Sequence, residues 1–429
     1  MHNIDLSLDE ITKVEGAASL TVKVRNGRVE NVEFAIREFK RFYTQAMRGK
    51  PYVALPQLLA RICGTCSNAH LLCSIESCEK ALGISPSEQS MVMKRLTVAA
   101  LLIRDHALHL YLFALPDIYG KDNFLEFDEN DEEQHQLLHD AFAIKAAGNY
   151  LAEIIAGRSV HAINPVIGGF LKVPDQVEVT KAKKKLEDVR PAVLRLIDIL
   201  KKCEFKFDRQ THYMALVGNP FTFLEGEIKN DSGAVIAEGD WRDHLERVVI
   251  PYSQASGYQY RGESFMVGAL ARLNLSKNTL HEKTRQEAKE ALKLFPSTNV
   301  FHNNLAQAIE ILHSLDSAVE MLSNTEFKQE PPAQPTRKYG LGVGVVEAPR
   351  GTLYHRVQIG EDGKVATGAI VVPTGQNQVN IEQDVGRRIE ELLPQNLSQA
   401  EIQLEMEKLI RAYDPCMSCA SHFLKMKWA

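Results

Sequence analysis

Two Cys-x-x-Cys pairs stand near opposite ends of this 429-residue chain, Cys63-Gly64-Thr65-Cys66 and Cys416-Met417-Ser418-Cys419. Each is followed by a histidine, His70 and His422. Two thiolates at this spacing can grip one metal, because the tight turn between them points both sulfurs the same way. About 350 residues separate the pairs, whereas small zinc modules keep theirs within tens of residues. A large domain therefore has to close on itself to join them, and the four-thiolate site then sits in a protein core. Soft sulfur ligands suit nickel, iron or zinc and exclude magnesium or calcium as the thiolate-bound ion; sulfur count alone does not choose among the three.

The elements that must carry these residues read as a mainly helical chain with smaller β parts. This is an α+β fold, one large domain over residues 1–429 around a central bundle of long helices. The strongest helix is expected over 87–114. It is apolar nearly all round, as a central helix is, yet it holds Arg104, Asp105, His106 and His109. Asp105 and His109 share a face, and burying such groups is costly unless they pair. Further helices are expected over 51–60, 71–82, 130–156, 175–202, 240–250, 276–294 and 302–324. Two more, about 379–393 and 398–411, deliver the chain to the second cysteine pair. A hairpin over 18–37 turns at Asn26-Gly27, and strands follow in 341–372. Gly342-Val343-Gly344 does not extend to a dinucleotide fingerprint and no P-loop is present, so no nucleotide site is readable. Gly168-Gly169 marks a turn or a close helix approach, and Glu330–Pro335 a surface connection.

Composition limits the class. Hydrophobic residues make up 45% and charged residues 24%, ordinary for a soluble globular protein. A net charge of −5 and a pI of about 6.3 leave no nucleic-acid footprint. The N-terminus lacks the basic-then-apolar pattern of a secretion signal. The apolar run Thr97–Ile103 is cut by Arg104-Asp105-His106, too short to span a membrane. Seven cysteines, four of them in pairs, favour reduced, metal-binding thiols and a cytoplasmic compartment. Cys73, Cys78 and Cys203 lack such partners and read as small buried hydrophobes.

Several separate motifs then converge. They are Arg-x-Cys-Gly-x-Cys-x-x-x-His at Arg61–His70, Asp-Pro-Cys-x-x-Cys-x-x-His at Asp414–His422, Glu-Ala-Pro-Arg-Gly at Glu347–Gly351, and Val-Pro-Thr with a downstream Asn at Val372–Asn377. A weaker echo is Val14-Glu15-Gly16. Along essentially its whole length the chain resembles the large subunit of nickel–iron hydrogenases, most like the cytoplasmic soluble group that includes sulfhydrogenases and NAD(P)-linked enzymes.

The resemblance implies a nickel ion held by four thiolates. Cys63 and Cys416 would be terminal, and Cys66 and Cys419 would bridge to an iron carrying carbon monoxide and cyanide. The reaction implied is reversible, heterolytic H2 = 2 H+ + 2 e−. Cys416 would be the first proton acceptor and Glu15 the next. Arg350 and Asp105, with Asp414 and Pro349, would form a canopy over the open metal positions. His70 would hydrogen-bond a bridging sulfur, and Thr374 a cyanide. Relatives hold an outer magnesium or iron with the terminal His, here His422, and a glutamate. This chain has Tyr43 or Thr44 at that place, with no carboxylate. The family's precursors are cut after that His, which marks the tail Phe423–Ala429 as removable. No spare cysteine set exists for an iron–sulfur cluster, so such clusters are expected in a small-subunit partner, with further subunits setting the electron acceptor. A hydrogen-sensing subunit with the same site is the second reading.

Overall fold

The computed structural model describes residues 4–39, 42–395 and 397–421. Strands β1 (Ile4–Leu8), β2 (Ala18–Arg25) and β3 (Arg28–Ile36) form an antiparallel sheet in that order. Its hairpin turns at Asn26 and Gly27, with φ of 53° and 75°, the positive angles that a two-residue hairpin turn demands. Leu20, Val22 and Val24 fill its buried face.

Helix α1 (Ser67–Leu82) starts directly after the first cysteine pair, with Cys66 as its N-cap. Helix α2 (Glu88–His109) is capped by the Ser87 hydroxyl, which accepts from the Ser90 N–H. One π-helical turn, Leu110–Ala114, then carries the helix on to Ile118. By length and composition this stretch could cross a bilayer, but 83% of its apolar window is buried inside the protein, so it is the core helix that its all-round apolarity predicts. Helix α3 (Glu132–Ala156) packs along it.

The single helix expected over 175–202 is two, α4 (Gln176–Asp188) and α5 (Arg190–Lys202). Pro191 opens the second, because it lacks the N–H that a continuous helix needs. The helix expected over 240–250 is corrected: a 3-10 turn, Glu238–Asp240, leads into one short helix, Trp241–His244, and helical structure ends there. Leu245–Val249 is instead a strand paired antiparallel with Ser256–Tyr260, in keeping with the strand preference of β-branched Val248 and Val249. The helix expected over 276–294 is also corrected. Helix α6 (Ala269–Ser276) ends where it should begin, and two short helical segments, Glu282–Glu287 and Lys289–Leu292, follow. Helix α7 (His302–Asn324) lies where expected.

The C-terminal third builds an antiparallel sheet of β4 (Gly340–Ala348), β5 (Gly351–Ile359) and β6 (Val365–Val371). Helix α1 lies flat on β4. A Cβ at Gly340, Gly342 or Gly344 would come within 2.2 Å of the Ala81, Ser77 or Cys73 carbonyl respectively. Four helical residues and two strand residues both advance about 6 Å, so the two glycine-to-carbonyl ladders stay in step. The Gly-x-Gly pattern thus serves packing: it sets the helix behind the first cysteine pair against the strand leading to Arg350. Gly168 also makes a close approach, with its Cβ position 2.4 Å from the Ala333 carbonyl, against the 330–335 connection rather than a helix. Helix α8 (Pro373–Leu392) starts six residues before its expected start, with Pro373 at its first position. Helix α9 (Gln399–Ala412) opens on a capping box of Ser398 and Glu401.

Candidate metal centre

Chain geometry at the second cysteine pair is set by Asp414, whose φ of 50° ends α9, and by Pro415. Cys416 is extended and caps a short helix, Met417–Ala420. The N-terminal segment straps over it. Glu15 and Cys416 form a parallel bridge, Met417 N donates to the Glu15 carbonyl at 2.9 Å, and Ser418 N donates to Glu15 Oε2 at 3.0 Å. Gly16 has φ +80° and a Cβ there would lie 2.9 Å from Met417 Cβ, so only glycine lets the strap close.

The Sγ atoms of Cys63, Cys66, Cys416 and Cys419 all lie within 4.8 Å of one another and are buried. Cys416 Sγ is 3.4 Å from Cys63 Sγ and 2.9 Å from Cys419 Sγ. Glu15 approaches from the strap, with Oε2 3.1 Å from Cys416 Sγ and Oε1 3.8 Å from Cys63 Sγ. Arg350 lies at the turn between β4 and β5. Its Nη1 donates to Asp105 Oδ2 at 2.7 Å and to Cys66 Sγ at 3.3 Å, and its Nη2 meets Asp414 Oδ1 at 2.9 Å. Thr374 Oγ1 accepts from Cys416 N at 2.9 Å.

The structure therefore brings Glu15, Asp105, Arg350, Thr374 and Asp414 to the four sulfurs. His70 lines a small cavity with Cys66, Cys419, Arg350 and Thr374, and its Nδ1 is 3.1 Å from His355 Nε2. Pro349 turns its carbonyl to Arg272 Nη2, at 3.2 Å. Asp105 and His109 share a helix face but go to different partners. His109 Nδ1 meets Gln307 Oε1 at 2.6 Å, and its Nε2 donates to the Arg411 carbonyl at 2.9 Å. His422, the outer metal expected beside it and the tail 423–429 lie outside the described residues. Tyr43, one of the two residues expected at the place of the relatives' glutamate, donates its hydroxyl to the Arg61 carbonyl at 2.7 Å.

Sequence reading missed Gln307, whose Nε2 donates to Asp414 Oδ2 at 2.9 Å, and His355 behind His70. It also missed Arg104 as a support: its Nη2 donates to the Thr65 carbonyl inside the first Cys-x-x-Cys, at 2.8 Å. Of these only Arg104 carried a signal, as a charge in an apolar helix.

Electrostatics at the site favour a bound cation. Burial, then the neighbouring Cys63 charge, pushes the Glu15 carboxyl up. Burial pushes the Cys416 and Cys419 thiols well up, while hydrogen bonds from Cys416, Cys419 and Cys66 pull Cys63 well down. Four thiolates this close in a dry core need a metal to offset their charge. Two buried polar atoms, Arg350 Nε and Asp105 Oδ1, have no partner among the described residues. The small cavity beside them is bordered by Cys66, Cys416 and Cys419 but not by Cys63. The donor set, the small cavity against three of the four sulfurs and the orphaned Arg350 and Asp105 atoms fit a two-metal group held by four sulfurs.

The chain belongs to the nickel-dependent hydrogenase family, whose sequence profile matches residues 43–136 and 243–422. It is an oxidoreductase acting on H2, a large subunit with a four-cysteine site for a nickel–iron centre. Among its relatives, sulfhydrogenase 2 subunit alpha of Pyrococcus furiosus is 32% identical over 98% of this chain and 100% of that one. The beta subunit of the NAD-reducing hydrogenase HoxS of Cupriavidus necator is 28% identical over 98% and 95%. A crystal structure of an NAD+-reducing [NiFe]-hydrogenase in the H2-reduced state shares the fold, with a TM-score of 0.87 at 22% identity over 98% of this chain and 99% of that one.

Proposed function

We propose that this chain catalyses reversible H2 = 2 H+ + 2 e− and passes the electrons to an iron–sulfur small subunit. The observation that carries the reading is the convergence on four buried sulfurs of an acid, Glu15, and a guanidinium held by two carboxylates, Arg350. Cys63, Cys66, Cys416 and Cys419 would hold the nickel–iron centre, and the resemblance gives its iron carbon monoxide and cyanide ligands. Thr374 and Arg350 line the small cavity against Cys66, Cys416 and Cys419, where such ligands would meet the protein. When bound, the nickel–iron centre supplies the polarisation and the redox chemistry of H2 cleavage.

The protein's own groups divide the remaining work. Arg350 aims its fork across the sulfurs, held by Asp105 and Asp414, and orients or polarises H2 there. Pro349 fixes the turn beneath it. Cys416 sulfur takes the proton first and hands it to Glu15 Oε2, 3.1 Å away, a hydrogen-bond reach suited to transfer. Burial raises the affinity of that carboxyl for a proton, which suits an acceptor that must also release. His70 tunes a bridging sulfur from the second layer.

The sulfhydrogenase and NAD-reducing relatives are named as single subunits of larger enzymes, which supports a small-subunit partner. The same relatives support further electron-transfer subunits, a cytoplasmic location and catalysis rather than sensing. We also propose that the chain is one domain that loses its tail 423–429 on maturation.

H2-dependent reduction of a viologen dye by the purified complex, with H/D exchange on the same sample, tests the function. Both activities are expected in samples with one nickel per chain. Nickel-replete complex without either activity would overturn the catalytic reading.

A further inference from the structure

We infer that Arg272 and Glu310 form the device that positions the Arg350 canopy. Arg272 is a positioning residue, acting on the reaction only through Arg350. The inference deepens the proposed function and rests on it.

Arg272 lies on α6 and is fully buried, as are its partners Glu310 and Glu347. All five of its N–H donors have acceptors. Nε and Nη2 grip Glu310 at 2.6 and 2.7 Å, a bidentate fork. Nη1 holds Glu347 Oε2 at 2.6 Å and the Ala348 carbonyl at 3.1 Å, and Nη2 reaches the Pro349 carbonyl at 3.2 Å. These acceptors are the three residues immediately before Arg350. Glu347 is itself fastened: its Oε1 accepts from Leu216 N and from Thr352 Oγ1, both at 2.7 Å.

Glu310 extends the same hold to the other side of the canopy. Its Oε2 faces His106 Nε2 at 2.9 Å, and His106 adjoins Asp105 on α2. One helical turn earlier on α7, Gln307 binds Asp414 Oδ2. The backbone under Arg350 and the helix turn under Asp105 are therefore tied to one buried ion cluster, and Asp414 to the same helix. An orienting guanidinium is useful only if its fork stays fixed, and displacement by about 1 Å can cost on the order of a hundredfold in rate. The cluster fixes the backbone that Arg350 hangs from, while leaving the Arg350 Nε unpartnered at the site.

A double-mutant cycle on the whole purified complex tests this, using Arg272→Lys, Arg350→Lys and both together. Turnover, nickel per chain and the infrared bands of iron-bound carbon monoxide and cyanide are read on each. Arg272→Lys is expected to keep its nickel, to lower kcat on the order of ten- to a hundredfold and to move the bands in the same direction as Arg350→Lys. In the Arg350→Lys background it should lower kcat by less than about twofold, because the two act as a unit. Losses that multiply, or a wild-type kcat in Arg272→Lys, would overturn the inference. Should Arg272→Lys fail to accumulate, Glu347→Gln, which keeps the shape and removes the charge, takes its place in the same cycle with the same outcomes. A wild-type complex with neither bands nor turnover would strike at the proposed function. Bands and turnover with multiplying losses would strike at this inference alone.

Discussion

Two buried arginines lie a few residues apart in space yet are built differently. Arg272 spends every donor on protein acceptors inside a cluster that touches no sulfur. Arg350 holds Asp105 and Asp414 but keeps Nε unpaired and sets Nη1 3.3 Å from Cys66 Sγ. A saturated buried ion cluster rigidifies a core. An incomplete one carries an unmet desolvation cost, and such cost persists where a further group is to be bound. On the proposed function, the difference separates the part of the molecule that holds still from the part that does the chemistry.

The sharpest way to break that contrast is at the sulfurs. Cys416→Ser removes a thiolate proposed both to hold the metal and to take the first proton. It is expected to abolish nickel retention and turnover together, measured by metal counting and dye reduction; a fully active variant would break the ligand assignment. Arg350→Lys comes next. It keeps a charge between Asp105 and Asp414 but replaces a planar fork with a point charge. Turnover should fall about a hundred- to a thousandfold with nickel retained and the melting temperature nearly unchanged. Glu15→Gln should slow H/D exchange on the order of a hundredfold while the metals stay bound, and wild-type exchange would take Glu15 off the proton route.

Arg272→Met tests the opposite pole. Stranding Glu310 and Glu347 in the core should cost about 3–5 kcal/mol of stability, read by denaturant unfolding; a loss below about 1 kcal/mol would mean the cluster is not what holds this region. The smallest effect belongs to a solvent-side pair. His212 is held above the ordinary histidine value, first by its hydrogen bond to Asp231 and then by that charge and Glu263. A raised histidine contributes stability that is fully present below about pH 6.5 and is lost as pH rises through the raised value. The melting-temperature gap between wild type and His212→Gln should therefore shrink from about pH 6 to about pH 9, with turnover unchanged.

Much of the site was legible because its chemistry is written locally. Cys-x-x-Cys spacing declares a chelate, and charges inside the apolar stretch of α2 declare buried partners, which the matching motifs then tie to the site. The matching motifs brought Glu15 and Arg350 into the same picture, and the structure brings them to the sulfurs. The Arg272–Glu310–Glu347 cluster left no such trace. Its members are 38 and 75 residues apart, and each alone reads as an ordinary helix or strand charge. His355 and Gln307 are hidden for the same reason. The Gly340–Gly344 pattern was visible but meaningless until α1 lay on it. In the fold, the long helices were clear from their periodicity. The strands of 212–260 were not, since they are short and Leu245–Val249 follows directly on a helical turn.

Four cysteines from two ends of the chain are proposed to hold one nickel–iron centre under Arg350. An infrared spectrum of the purified complex, in the window where metal-bound carbon monoxide and cyanide absorb, tests it most directly when nickel and iron are counted on the same sample. Bands from both ligands with one nickel per chain are the predicted result. A spectrum without bands from a sample carrying zinc in the four-sulfur site would contradict it.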